Sequence, residues 1–163
     1  MDYFVTGGTG FIGRYLIDRL LKRGGTVHVL VREGSRGRLE EMRAGWGEDA
    51  DRVVPVVGDI SQPRLGVDPA EAERLTGRIG GFYHLAAVYD MEADDEAIRV
   101  GNIEGTINAV DFANEIEAGC FHLASSIAAA GLFKGTWRED MFEEAENLDK
   151  HPYFRTKHES ERI

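Results

Sequence analysis

One cysteine stands in 163 residues. An internal disulfide is therefore excluded, and the scarcity fits a reducing compartment. Cys120 sits in an apolar stretch and reads as a buried, inert thiol. No apolar run approaches the length of a membrane span. The N-terminus, MDYFVTGG, has neither a basic n-region nor a long apolar h-region, so no signal peptide is expected. Basic residues are outnumbered, 19 Lys and Arg against 29 Asp and Glu, for a formal net charge of −10. That argues against nucleic acid and against an anionic membrane surface. No His, Cys and Asp grouping has metal-ligand spacing, so no metal is expected. Internal repeats and low-complexity linkers are absent too. What is left is a cytoplasmic, globular domain long enough to bury a real core. The acidic run Glu139, Asp140, Glu143, Glu144 and Glu146 reads as a solvated loop or helix face.

What is present is alternation. Residues 2–6, 26–32, 52–59, 81–87 and 120–126 are β-branched or aromatic runs that predict strands. Residues 11–23 carry Ile12, Leu16 and Leu20 at helical spacing, and the glycines at 24–25 stop that helix. Helical stretches are also expected over 36–46, 69–76 and 93–117, and from Tyr153 to the last residue. Strands alternating with helices predict an α/β fold, a Rossmann-type doubly wound parallel sheet. Pro55 makes the third strand an edge, as strand order 3-2-1-4-5-6 requires. Five strands precede the last helix and a sixth is missing. The whole of 1–163 is thus expected to be one partial NAD(P)-binding domain, cut short after that helix, with a further C-terminal part in the parent protein. His84 and His122 lie in apolar strands and read as core histidines. Trp46 and Trp137 read as loop or packing residues.

The segment VTGGTGFIG places Gly7, Gly10 and Gly13 three apart between a strand and a helix. In that context the glycines close a turn and let backbone N–H groups approach a pyrophosphate at the helix N-terminus. The last glycine lets the helix pack on the sheet. Thr6, Phe11 and Ile12 belong to the same candidate cofactor site. The end of the second strand selects the dinucleotide: an acid there would take a ribose 2′-OH. Arg32 holds that place, with Arg36 close by, and a guanidinium clamps a 2′-phosphate instead. NADP is the expected cofactor, NADPH over NADH. In the alternative Arg32 faces solvent and Glu33 reaches the ribose.

Near the end, YFRTK sets Tyr153 and Lys157 four apart, one turn of a helix. An ammonium beside a phenol favours the phenolate, which makes Tyr153 a general acid or base. Ser125 and Ser126 close the fifth strand, at the carboxyl edge where such sheets bind ligands. Either hydroxyl could hydrogen-bond a substrate carbonyl. Tyr89 and Met91, after the fourth strand, are candidates to touch substrate or nicotinamide.

The pieces TGGTGFIG, GDI (58–60), HLAA (84–87), NIEGTINAV (102–110), SSIAAAG (125–131) and YFRTK resemble the extended short-chain dehydrogenases/reductases. The resemblance makes Ser126, Tyr153 and Lys157 the catalytic set, with Ser125 a structural neighbour. It implies that Asp59 hydrogen-bonds the adenine with Ile60 beside the ring. It places Leu85, Ala86 and Ala87 along the cofactor near its ribose, and Lys157 on the nicotinamide ribose. Stretches such as REDMFEEAE and RTKHESE are similar to the N-terminal reductase domain of bacterial two-domain fatty acyl-CoA/fatty aldehyde reductases. That likeness implies NADPH-dependent reduction of an acyl thioester or aldehyde towards a long-chain alcohol. Tyr153 would protonate the carbonyl oxygen and Ser126 would steady it. The alternatives are another extended family member (sugar-nucleotide, steroid-type or carrier-linked thioester reductase) or a silent NADP-binding fragment. Relatives pair through long helices, here 93–117 and the one beginning near Tyr153, so a homodimer is expected; an open sheet edge is a second route to association.

Overall fold

All five β-branched and aromatic runs become strands, and every pair is parallel. The computed structural model describes residues 1–89 and 94–163. The strands are β1 (Asp2–Thr6), β2 (Val27–Val31), β3 (Val53–Val57), β4 (Ile79–His84) and β5 (Phe121–Leu123). Their order is β3-β2-β1-β4-β5. Pro55 therefore lies on an edge strand, where a missing N–H need break no ladder. The helices are α1 (Phe11–Arg23), α2 (Arg36–Arg43), α3 (Pro69–Leu75), α4 (Asp95–Arg99), α5 (Gly105–Glu115) and α6 (Pro152–Arg162).

Side-chain alternation along β1 sends Phe4 to one face of the sheet and Tyr3 and Val5 to the other. Phe4, Phe82, Phe112 and Ile116 centre one core, and Val5, Val29, Ile17, Leu20 and Leu39 centre the second. Both faces are thus covered, as a parallel sheet demands. Phe4 stacks on Phe82 and Phe82 on Phe121, with centroids 4.8 and 5.2 Å apart, so aromatic contact runs across three strands. Trp46 packs against the second core and Trp137 against Phe133. The acidic run is solvent-exposed and largely irregular, as expected.

Three expectations need correction. Cys120 is exposed, because it stands in the turn ahead of a short edge strand rather than inside the sheet. His122, on that same strand, is exposed as well; its ring stacks on Tyr83 at 4.5 Å. The long helix expected over 93–117 is not one regular helix. α4 passes into a π turn, Val100–Glu104, before α5 begins. A π turn adds a residue to the helical repeat, and here it turns Asn102 inward to 2% exposure.

That turn anchors a buried polar seam. Val88 N–H donates to Asn102 Oδ1 (2.7 Å), and Asn102 Nδ2 donates back to Val88 O (3.1 Å) and to Thr156 Oγ1 (3.2 Å). Thr106 Oγ1 donates to Asn102 O (2.6 Å). His84, 1% exposed, has Nδ1 at 2.8 Å from Thr6 Oγ1 and Nε2 at 3.4 Å from Thr106 Oγ1. Thr6 Oγ1 also accepts from Ala86 N–H (3.2 Å). Every group is satisfied in one direction: Ala86 N–H to Thr6, the Thr6 hydroxyl to Nδ1, and Nε2–H to Thr106. This assigns the neutral Nε2–H tautomer to His84. Burial first, and the Lys157 charge second, lower its pKa to about 4.

Two expectations follow for stability. Gly13→Ala would put a Cβ 2.4 Å from Gly7 O and 2.6 Å from Gly8 Cα, against backbone that cannot step aside. It should cost about 3 kcal/mol in urea unfolding. Gly37→Ala, with nothing within 4 Å of the new Cβ, should be neutral or stabilising by up to about 1 kcal/mol. The second concerns pH. Between the ordinary histidine value of 6.5 and the folded value of about 4, the unfolded chain binds the extra His84 proton. Stability should therefore fall as pH drops through that window, by about 3 kcal/mol from this group. His28, also lowered by burial, acts in the same direction. Urea midpoints at stepped pH would show the fall, and His84→Gln should make it shallower.

Candidate active site

β1 ends at Thr6 and the chain turns through Gly7 to Gly10 before α1 starts. Gly7 adopts φ +71°, and a Cβ there would stand 2.7 Å from Ala86 N. Gly10 is the N-cap and offers no side chain to the first amides. The N–H groups of the opening turn have no carbonyl one turn back to bond, and they lie at the positive end of the helix dipole. The turn opens a cleft of about 540 Å³ at the carboxyl edge of the sheet, a volume typical of cofactor sites. Backbone packed this bare, with Gly7 and Gly10 lining an open cleft beside a helix N-terminus, fits a dinucleotide pyrophosphate.

Eight of the residues expected at the cofactor line this one cleft: Gly7, Gly10, Arg32, Asp59, Ile60, Leu85, Ala86 and Ala87. Among the described residues Arg32 is the one cationic side chain in the lining. Asp59 is held still, since its Oδ1 accepts from Ser61 N–H (2.9 Å) and Ser61 Oγ (2.8 Å). Ile60 is steadied through its carbonyl, which accepts from Asn108 Nδ2 (2.8 Å).

Other expected residues stand off the lining. Thr6 is fully buried beneath it and supports Ala86. Gly13 packs on the glycine turn itself rather than on the sheet; Gly8 is the glycine that meets a strand side chain, Val29. The side chains of Phe11 and Ile12 point into solvent, which leaves only their amides to serve. Arg36 is exposed and its Nη1 lies 3.3 Å from Glu33 Oε1. Thr9, Ser35, Ser61, Val88 and Gly101 line the cleft without having been expected. Ser35 and Ser61 had a signal, a hydroxyl within three residues of a chosen Arg or Asp. Gly101 had none, because it depends on the π turn.

Ser126 follows the end of β5, and Tyr153 and Lys157 lie on α6, which packs against the turn that Ser126 opens; none of the three lines the cleft. Ser126 opens the 3-10 turn Ile127–Ala130, and its Oγ accepts from Ala128 N–H (3.1 Å). Among the described residues its own hydroxyl proton has no acceptor and is free to donate. Ser125 differs: it is exposed and its hydroxyl bonds Glu161. The geometry therefore separates two serines that adjacency in sequence could not. Tyr153 opens α6, one residue after Pro152 and with the His151 ring capping its amide (3.0 Å). Its ring meets Tyr89 edge-to-face at 5.0 Å. Met91, paired with Tyr89 as a candidate above, lies outside the described residues. Lys157 is 3% exposed and its Nζ donates to Ala124 O (2.9 Å). Burial pulls its pKa below the ordinary lysine value, with Glu161 opposing. Ala124 N–H in turn donates to His84 O (3.0 Å). Asn102 completes the link, because it bonds both Val88 of the cleft and Thr156 of α6.

Known proteins resemble this chain in sequence and in fold. The family model described as male sterility protein, an NAD-binding family, matches residues 5–163. A Drosophila melanogaster protein named "Putative fatty acyl-CoA reductase CG8303" is 33% identical over 129 residues, covering 71% of this chain and 24% of its own length. A nonribosomal peptide synthetase of Aspergillus flavus, asaC, is 28% identical over 138 residues, covering 78% of this chain and 14% of the relative. Among solved structures, the terminal R domain of the myxalamid PKS-NRPS pathway superposes with a TM-score of 0.83 at 29% identity. The match covers 99% of this chain and 44% of that one. The chain thus spans less than half the length of each of these relatives. Its strand order, its glycine turn and a match running from Val5 to Ile163 place it in the male sterility protein family of NAD-binding domains, with the extended short-chain dehydrogenase/reductase fold.

Proposed function

We propose that this chain is the NADPH-binding, proton-donating part of a reductase that converts a fatty acyl thioester or fatty aldehyde carbonyl towards a long-chain alcohol. One observation carries the reading. Ser126 keeps a free hydroxyl proton at the carboxyl edge of the sheet, on a turn packed against the helix that bears Tyr153 and Lys157. Gly7, Gly10, Arg32 and Asp59 would hold a reduced nicotinamide dinucleotide in the cleft, and its chemistry there would be hydride transfer. Tyr153 donates its phenolic proton to the carbonyl oxygen as negative charge develops there. Ser126 donates a second hydrogen bond to the same oxygen. Lys157, held by Ala124 O, offers its other N–H groups to the ribose. With a thioester the first product is a hemithioacetal, which expels the thiol to give the aldehyde.

Two features support the cofactor and substrate class. Arg32 lines the cleft, whereas Glu33 lies outside that lining and reaches Arg36; this favours a 2′-phosphate over a bare ribose. Ile127, directly after Ser126, is 76% exposed, and Tyr89, against Tyr153, is 72% exposed. An acyl chain gains by covering such surface; a sugar does not.

A second reading is a thioester reductase acting on carrier-bound acyl groups. The likeness to the myxalamid R domain favours it. The two are separated by comparing acyl-CoA with the same acyl group on a carrier's phosphopantetheine, using the full-length protein and following NADPH oxidation. Tyr153→Phe should lower turnover about 10²–10⁴-fold; native-like turnover would sink the mechanism. In fluorescence titration Arg32→Glu should weaken NADPH roughly 10–100-fold and leave NADH little changed. Equal effects on both cofactors would overturn the assignment of Arg32.

A further inference from the structure

His158 follows Lys157 on α6, is 7% exposed and has no part in the chemistry above. Its Nδ1 lies 3.0 Å from Ala129 O. A carbonyl only accepts, so Nδ1 carries the proton and donates. Ala129 belongs to the turn that Ser126 opens, and its own N–H donates to Ser126 O (3.0 Å). The Ala129 residue is thus held at both ends, by Ser126 and by α6. The imidazole also stacks flat on Phe142, with centroids 4.1 Å apart and planes 6° from parallel. Arg162, one turn further along α6, places its guanidinium 5.3 Å from the centroid of the Phe142 ring and pairs with Glu143 (3.0 Å). The chain returns from the turn through Gly131, whose φ of +63° brings Leu132 N–H to Glu146 O (2.8 Å). His158 therefore sits where the serine turn, the returning segment and the helix bearing Tyr153 meet.

We propose that His158 is a positioning residue. Its N–H fixes the Ser126 turn against α6, so that the Ser126 and Tyr153 hydroxyls converge on one carbonyl oxygen. The inference rests on the roles given to those two residues above. The N–H is the operative part; the ring's packing alone would not set the turn. Small displacements between such donors are costly, on the order of 100-fold in rate for about 1 Å.

Two substitutions separate donor from packing. His158→Phe keeps the ring on Phe142 and deletes the N–H. His158→Asn loses the stacking but returns a donor near the Nδ1 position. In the full-length protein, His158→Phe should speed amide hydrogen exchange at Ala128 and Ala129 and lower kcat about 10–100-fold. Its NADPH affinity should stay within about twofold of native, because the cleft is untouched. His158→Asn should restore most of the exchange protection and of kcat, even with a lower Tm. Native exchange in His158→Phe overturns the proposal whatever the substrate. So does equal loss in both variants tracking Tm, the mark of packing alone. Ser126→Ala and Tyr153→Phe run beside them keep the two readings apart. If these leave turnover intact, the site assignment fails; if they abolish it while His158→Phe does not, only the positioning role fails.

Discussion

The paired hydrogen bonds between Asn102 and Val88 are the joint on which this site depends. Val88 lines the cofactor cleft, and Asn102 also bonds Thr156, the residue before Lys157. Removing that side chain would take both partners from the partly buried Val88 N–H and C=O, a cost of about 1 kcal/mol for each bond. The site would loosen as well, because the cleft and α6 come from sequence positions far apart. The seam has no spare partners: Thr106 and Ser160 both reach Asn102 O, and His84 bridges Thr106 to Thr6. A network satisfied in this way fixes one arrangement of its elements.

The glycine turn works by the opposite principle. It removes side chains so that backbone can meet backbone, at Gly7 against Ala86 and at Gly13 against Gly7. The first contact joins two parts of the cleft wall, and the second seats the start of α1 on the glycine turn. Thr6 lies between the two systems, its carbonyl accepting from Leu85 N–H (3.2 Å) and its hydroxyl from Ala86 N–H. Bare backbone on one side and a saturated polar seam on the other hold the strand-end loop of β4 in place.

How much of this was legible in the sequence depended on whether the signal was local. Strand runs, the edge position of Pro55 and eight of the residues lining the cleft could be read because each rests on a few neighbouring residues. The π turn could not: Ile103, Ile107 and Val110 keep helical spacing through it, and the defect is driven by Asn102 reaching Val88 and Thr156 across the fold. Cys120 and His122 were misplaced for a related reason. Their apolar neighbours suggested a buried strand, but β5 is three residues long and lies at the edge of the described sheet. The two adjacent serines were indistinguishable by composition; the family resemblance chose Ser126, and Glu161 and the Ala128 amide give the two hydroxyls different bonds.

Lys157 shows what the fold tolerates for the sake of that corner. A leucine would fill similar space without the desolvation of an ammonium, which pulls the lysine's affinity for its proton down. Among the described residues one carbonyl, that of Ala124, takes up one of its three donors, and Glu161 favours the charged form from the side already bonded to Ser125. A buried charge so lightly compensated contributes little to stability. Its remaining donors are left for an oxygen of a bound ligand in the proposed mechanism. A buried ammonium with so little structural return, four residues along α6 from Tyr153, is what the proposed chemistry would account for.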